Sequence, residues 1–149
     1  MRRYSILAIA LLIMTMVCAR ETSAQVDNQT EFTASFEFYA GNTKLPAGKY
    51  VLSSTNDDLT VWELRSSDGK VAVMLEVHDV EAPADAAKSS VVFRKYENKA
   101  FLYQFFEAGN TSGFELNTSK PEQRVAKSGA APTKHALAAT TSKASKKTP

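Results

Sequence analysis

Two histidines occur in the chain, His78 and His135, and much of the chemistry open to it turns on them. His78 is followed by Asp79, with Glu76 two residues earlier and Glu81 and Asp85 just beyond. An imidazole among carboxylates can ligate a metal or exchange protons near neutral pH. This spacing matches no recognised ligand motif, and the same residues suit a solvated strand face running into an acidic loop. His135 stands in a segment poor in large apolar residues. The single cysteine, Cys18, falls in an apolar leader, and neither a Gly-x-Ser-x-Gly elbow nor a phosphate-cradling glycine loop occurs. We therefore expect no catalytic, cofactor-binding or metal-binding residue and a protein that is not an enzyme. A hydrolase or metal-dependent enzyme built on His78 is the weaker alternative.

A second group of residues could form a binding site. Phe36, Phe38, Trp62, Phe101, Tyr103 and Phe105 are candidates to line an apolar pocket, as in small barrels that hold one ligand. A domain of this size also needs such rings to fill its own centre. All eight Phe and the one Trp fall between Phe32 and Phe114, which marks out a single compact unit.

The elements that must position these residues read as strands and turns. Residues 30–40 alternate strictly, with Phe32, Ala34, Phe36, Phe38 and Ala40 on one face, as a half-buried strand requires. Leu45-Pro46-Ala47-Gly48 is a turn, and residues 49–53 follow as a short strand with Tyr50 and Leu52 inward. Residues 59–65 and 70–78 form a hairpin through Asp68-Gly69, a pair that favours a type I′ turn. That register sets Leu64 opposite Val73, Trp62 opposite Leu75 and Thr60 opposite Val77. Residues 89–96 and 100–107 make another hairpin, for which two- and three-residue loops both give acceptable pairs. Its second strand is apolar on both faces except at Gln104, so it is either covered on both sides or lines a cavity. Residues 114–116 are a last short strand. Ser119, Pro121 and Glu122 then announce a helix with a capping box, ending near Lys127.

The run Phe36-x-Phe38-x-x-Gly41-x-x-x-Leu45-Pro46-Ala47-Gly48-x-Tyr50, with the later Gly113-x-Glu115-Leu116-x-x-Ser119-x-x-Glu122, resembles a family of short, uncharacterised, exported β-rich proteins of environmental bacteria. The resemblance covers about residues 32–127. It implies export and a single β-domain, and it brings no activity.

Both ends of the chain differ from the body. A positive start, the apolar run 6–17 and small residues at Thr22 and Ala24 make a secretory signal peptide cut after Ala24, with a cut after Ala19 as the alternative. The run is shorter than the roughly 20 apolar residues that a spanning helix needs. Residues 25–123 hold nine basic and fifteen acidic side chains, a net charge of −6, whereas residues 124–149 hold six basic and no acidic ones. From residue 128 on, Ala, Ser, Thr and Lys without apolar periodicity read as disorder. Cutting the chain after Lys127 is therefore expected to leave its stability nearly unchanged.

The expected architecture is all-β, a small antiparallel barrel or sandwich of six to seven strands with a short C-terminal helix and a disordered tail. Its divisions are a signal peptide (1–24), a β-domain (25–118), a helix (119–127) and a basic tail (128–149). The expected function is that of a secreted or periplasmic, non-enzymatic binding or envelope-associated module. Lys134, Lys143, Lys146 and Lys147 could tether it to an anionic envelope surface. A small barrel carrying an apolar small molecule is the alternative. Neither a nucleic-acid partner nor a membrane-spanning segment after processing is expected.

Overall fold

A computed structural model describes residues 27–83 and 87–144 of the chain. The leader, its cleavage point, Asp85, Lys146 and Lys147 lie outside the described residues. The elements are β1 (Asp27–Ala34), β2 (Phe38–Ala40), β3 (Thr43–Leu45), β4 (Gly48–Ser54), β5 (Val61–Ser66), β6 (Ala72–Glu81), β7 (Ser90–Tyr96), β8 (Lys99–Phe106), β9 (Ser112–Leu116), α1 (Lys120–Lys127) and β10 (Thr133–Ala144). The strands form one sheet in the order β3-β2-β8-β7-β10-β1-β4-β5-β6-β9, and a β8–β9 pairing closes it. The result is an antiparallel barrel of eight strands, with β2 and β3 as extra strands. Closure is favourable because it removes sheet edges that would otherwise seek partners.

The strand count exceeds the six to seven expected, chiefly because residues 133–144, expected to be disordered, form a strand. β10 pairs with β1 from Asp27↔Ala144 to Phe32↔Ala139 and with β7 from Thr133↔Lys95 to Ala138↔Ser90. Its alternation is present but muted. Leu137 and Ala139 pack against the core, while Ala136, Ala138 and Thr140 are exposed. Backbone pairing on both sides holds this strand, so it needs few large side chains of its own.

Residues 30–40 also depart from expectation, because they are two strands. The chain bends at residues 35–37, so that β1 stays in the barrel wall while β2 leaves to pair with β3 and, in parallel, with β8. The inward alternation survives the bend because both strands face one core. The later hairpins explain themselves better. β5 and β6 take the expected register, including Leu64↔Val73 and Trp62↔Leu75. Their turn is not type I′, since Asp68 does not adopt a positive φ and Gly69 does (72°). Asp68 instead accepts the Ser66 hydroxyl at 2.6 Å and the Lys70 N–H at 3.2 Å, closing the turn with its side chain.

The β7–β8 ladder uses both of the registers that the sequence allowed. Near the loop, Tyr96↔Lys99 defines a two-residue connection with Glu97 at φ 46°. A register shift between Val92 and Phe93 then leaves Tyr103 as the extra residue, and Val92↔Gln104 continues in the other register. β8 is covered on both faces. Leu102 and Phe105 belong to the core, while Phe101 is buried on the outer side against Tyr39 and Tyr96.

α1 begins where expected. Ser119 Oγ accepts the Glu122 N–H at 3.3 Å and Pro121 sits in the first turn. The reciprocal half of the capping box is replaced by a tertiary contact. The Glu122 carboxylate accepts from Arg94 Nη1 at 3.0 Å and from the Tyr96 hydroxyl at 3.1 Å, which pins the helix to the outer wall of β7. Among the described residues no helix is long and apolar enough to cross a membrane.

Candidate functional site

The six candidate pocket residues do not converge on one cavity. Phe38, Trp62 and Phe105 lie in the core with essentially no exposure. Trp62 packs on Phe105 and Phe114 with ring centroids 4.8 Å away, and its indole N–H donates to Leu59 O at 2.9 Å. A second aromatic cluster joins Phe38 to Tyr50 and Phe93, each at 5.2 Å, and to Phe32 at 6.1 Å. Phe36 is half-buried, edge-on to Phe93 and His135, with Lys95 Nζ 4.3 Å from its ring centre. Phe101 is stacked on Tyr39 on the outer wall. Tyr103 is half-buried there as well, under the Arg94 guanidinium at 3.5 Å and with Lys134 Nζ at 5.5 Å. None of the six lines any of the described grooves.

Burial alone would lower the pKa of Arg94, but its bonds to Tyr103 and Glu122 outweigh that and raise it, so the guanidinium is a fixed charge. The Tyr96 phenol is raised by burial first and by the Glu122 charge second. This cluster holds its members in place.

His78 finds a partner that the sequence did not suggest. Its Nε2 lies 3.6 Å from Glu115 Oε1, and the other Glu115 oxygen accepts Gln104 Nε2 at 2.6 Å. His78 and Glu115 are cross-strand neighbours in β6 and β9, a pairing invisible without the register. The row lies on the half-exposed outer face, with Glu76 and Asp79 solvated nearby. Among the described residues no three His, Cys, Asp or Glu side chains are grouped so as to hold a metal ion. His135 borders Phe36 near the start of β10.

Two further features escaped the sequence. The first is a buried polar cluster: Glu107 is 4% exposed and Thr30 is fully buried. Glu107 accepts from the Thr30 hydroxyl at 3.4 Å and from the Asn110 amide at 2.9 Å. The Thr30 and Thr141 hydroxyls are 3.4 Å apart, and Ser89 Oγ accepts the Ala108 N–H at 3.0 Å. Among the described residues every buried side-chain polar atom is hydrogen-bonded, so the cluster acts as a lock between β1, β10 and the ends of β7 and β8.

The second feature is a slot of about 590 Å³ in the outer wall. It opens between the early half of β6, the turn from β2 to β3, and the start of α1. Val61, Met74 and Glu76 line its outer side, Ala40, Leu75 and Leu116 its floor. Met74 is 58% exposed and is the one large hydrophobic side chain so exposed among the described residues. Lys120 N–H donates to Asn42 Oδ1 at 3.1 Å, joining the helix start to the β2–β3 turn as one wall.

The resemblance motifs occupy structural positions around these features. Leu45 is core, Tyr50 is core with its hydroxyl donating to Pro46 O at 2.7 Å, and Gly41 turns at φ 57° against Leu75. Gly48 keeps an ordinary φ, so its part in the turn is the room it leaves for the Tyr50 ring, 3.5 Å from where a Cβ would stand. Compared with protein-family models, curated proteins and solved structures, the chain finds no match.

Proposed function

We propose that this chain is an exported, non-enzymatic binding module that meets its partner with the outside of its barrel. The observation that carries this reading is the filled interior. A carrier barrel keeps room for its ligand between the inner side chains, whereas here the two aromatic clusters around Trp62 and Phe38 occupy that space. The outer wall, by contrast, offers a concave slot with an exposed methionine, a side chain that adapts to varied surfaces. The signal-like leader and the two resemblance motifs support export. Lys134, exposed on β10, keeps a role for the basic segment as an auxiliary tether, which Lys143, Lys146 and Lys147 would extend.

The test is native mass spectrometry of the processed protein from its own host, together with Trp62 fluorescence during titration with palmitate. We expect no stoichiometric apolar ligand and no change in emission. A 1:1 apolar ligand that quenches Trp62 would replace this reading with a carrier. Export is checked separately by the mature N terminus, expected at Gln25.

A further inference from the structure

We infer that a linear polysaccharide bearing carboxylate groups lies along the solvent face of α1 and in the groove between that helix and the β7–β8 turn. This inference rests on the outer-wall reading and names the chemistry of the partner.

The cations of the chain fall into two groups. Residues 27–81 hold Lys44, Lys49, Arg65 and Lys70, and each is paired with a carboxylate at 2.7–3.3 Å. In residues 94–134, Arg94 is paired with Glu122, while Lys95 and Lys134 lie against the rings of Phe36 and Tyr103. Lys99, Lys120, Arg124 and Lys127 are exposed and have no ion pair among the described residues.

α1 gathers three of these four. Lys120, Arg124 and Lys127 are spaced by four and three residues, so they form one stripe with neighbours roughly 5–6 Å apart. Glu122 and Val125, which are buried and half-buried, occupy the opposite side of the helix. No acidic residue interrupts the stripe, because the one carboxylate of α1 is Glu122, held beneath it by Arg94. Arg124 and Lys127 suit the C-terminal end of a helix, but Lys120 stands in the first turn, where the helix dipole disfavours a cation. Helix stability therefore does not account for the whole stripe, whereas an anionic chain lying along it does.

The fourth cation borders the adjoining groove of about 590 Å³, with Lys99 on the turn side and Arg124 on the helix side. Asn98 and Ser128 add neutral polar groups to the same groove. The Asn98 amide has no hydrogen bond among the described residues, and the Ser128 hydroxyl, which donates to Val125 O at 2.6 Å, keeps lone pairs for an incoming donor. Cations beside groups that bind hydroxyls suit a sugar ring carrying a carboxylate. A bilayer surface would call for a large apolar side chain beside the cations, and the exposed residues of α1 are Lys120, Gln123, Arg124, Ala126 and Lys127. Single-stranded nucleic acid would call for an exposed aromatic face, and Tyr96, the one ring in the groove, is buried.

The probe is fluorescein-labelled decagalacturonate, titrated with the processed protein and read by anisotropy. We expect saturable binding at low salt that weakens as salt is added. Replacing Lys99, Lys120, Arg124 and Lys127 together by Gln should weaken it at least about tenfold. Replacing Lys44, Lys49, Arg65 and Lys70 by Gln removes the same charge elsewhere and should change it less than about twofold, since those cations are already paired. The last lysines of the chain stay in both variants, so the comparison isolates the stripe. If the first variant fails to fold, as a thermal melt would reveal, methyl-esterified decagalacturonate on the unaltered protein decides, and it should not bind. Absence of saturable binding, equal losses in the two variants, undiminished binding of the ester, or tighter binding to phosphatidylglycerol vesicles or polyphosphate overturns the inference. That result leaves the outer-wall reading standing, whereas an apolar ligand inside the barrel overturns that reading whatever the polymer does.

Discussion

The Ser89 hydroxyl lies 2.6 Å from the Thr141 hydroxyl, tying the segment before β7 to the last strand of the barrel. Around this contact Thr30 and Glu107 complete a buried lock, and Ala139 N–H donates to Ser89 O at 2.9 Å. A chain cut after Lys127 loses β10, opens the edges of β1 and β7 and strands the buried Thr30 and Glu107. We expect such a truncation to be insoluble, or to melt at least about 15 °C below the intact protein, as the loss of several kcal/mol from a small domain implies. A thermal melt within a few degrees of the full chain would show that β10 is dispensable.

Gly113 is the tightest glycine in the fold. A Cβ there would stand 2.8 Å from the Phe105 carbonyl oxygen and would collide with the Phe106 ring that folds over it. Gly113→Ala should cost about 1–3 kcal/mol in urea denaturation, the range for overpacking. At Gly109 a Cβ meets nothing, but φ is 80°, so alanine there should cost less, about 1 kcal/mol, through backbone strain alone. Equal losses at both positions would contradict the crowding argument.

Arg94 and Glu122 fasten α1 to the barrel. The Glu122 side chain is 5% exposed, so Arg94→Met leaves a buried carboxylate with Tyr96 as its remaining hydrogen-bond donor among these groups. We expect a loss of about 3 kcal/mol, and recovery of most of it when Glu122→Leu is added, because the pair is costly to break and cheap to replace. An additive double variant would mean that the contact carries no coupling.

Alkaline stability follows from two phenols. Burial first, and the nearby Asp68 second, raise the pKa of Tyr50 above its ordinary 10.0; burial first and Glu122 second do the same for Tyr96. The folded state thus holds these protons longer than the unfolded chain. The stability they contribute is complete below pH 10 and is lost as pH rises through the higher folded values. Denaturation midpoints should fall from pH 10 upward, and Tyr50→Phe, though less stable at neutral pH by about 1 kcal/mol, should fall less steeply. An identical slope in the variant would remove Tyr50 from the account.

Much of the wall was legible from local pattern. The Trp62↔Leu75 register could be read because turn position and side-chain alternation agree, and an even-length loop preserves that register whether the turn is type I′ or is closed by Asp68. The ambiguity at β7–β8 was itself informative, since the bulge at Tyr103 lets one ladder use both solutions. β10 was misread because Ala, Thr and Ser dominate it, and the partners on either side that hold it as a strand lie far away in the chain. Glu115 could not be matched to His78 for the same reason.

The sequence by itself determined where most strands alternate, where turns fall and how α1 begins. Those properties depend on residues a few positions apart, and local sterics and solvation decide them. Tertiary structure alone decided that β10 closes a barrel, that Glu107 is buried beside the Thr30 hydroxyl, and that β9 stops short beside a slot lined by Met74 and Glu76. Each of these follows from where a ladder between distant segments begins or ends, and no local pattern encodes that.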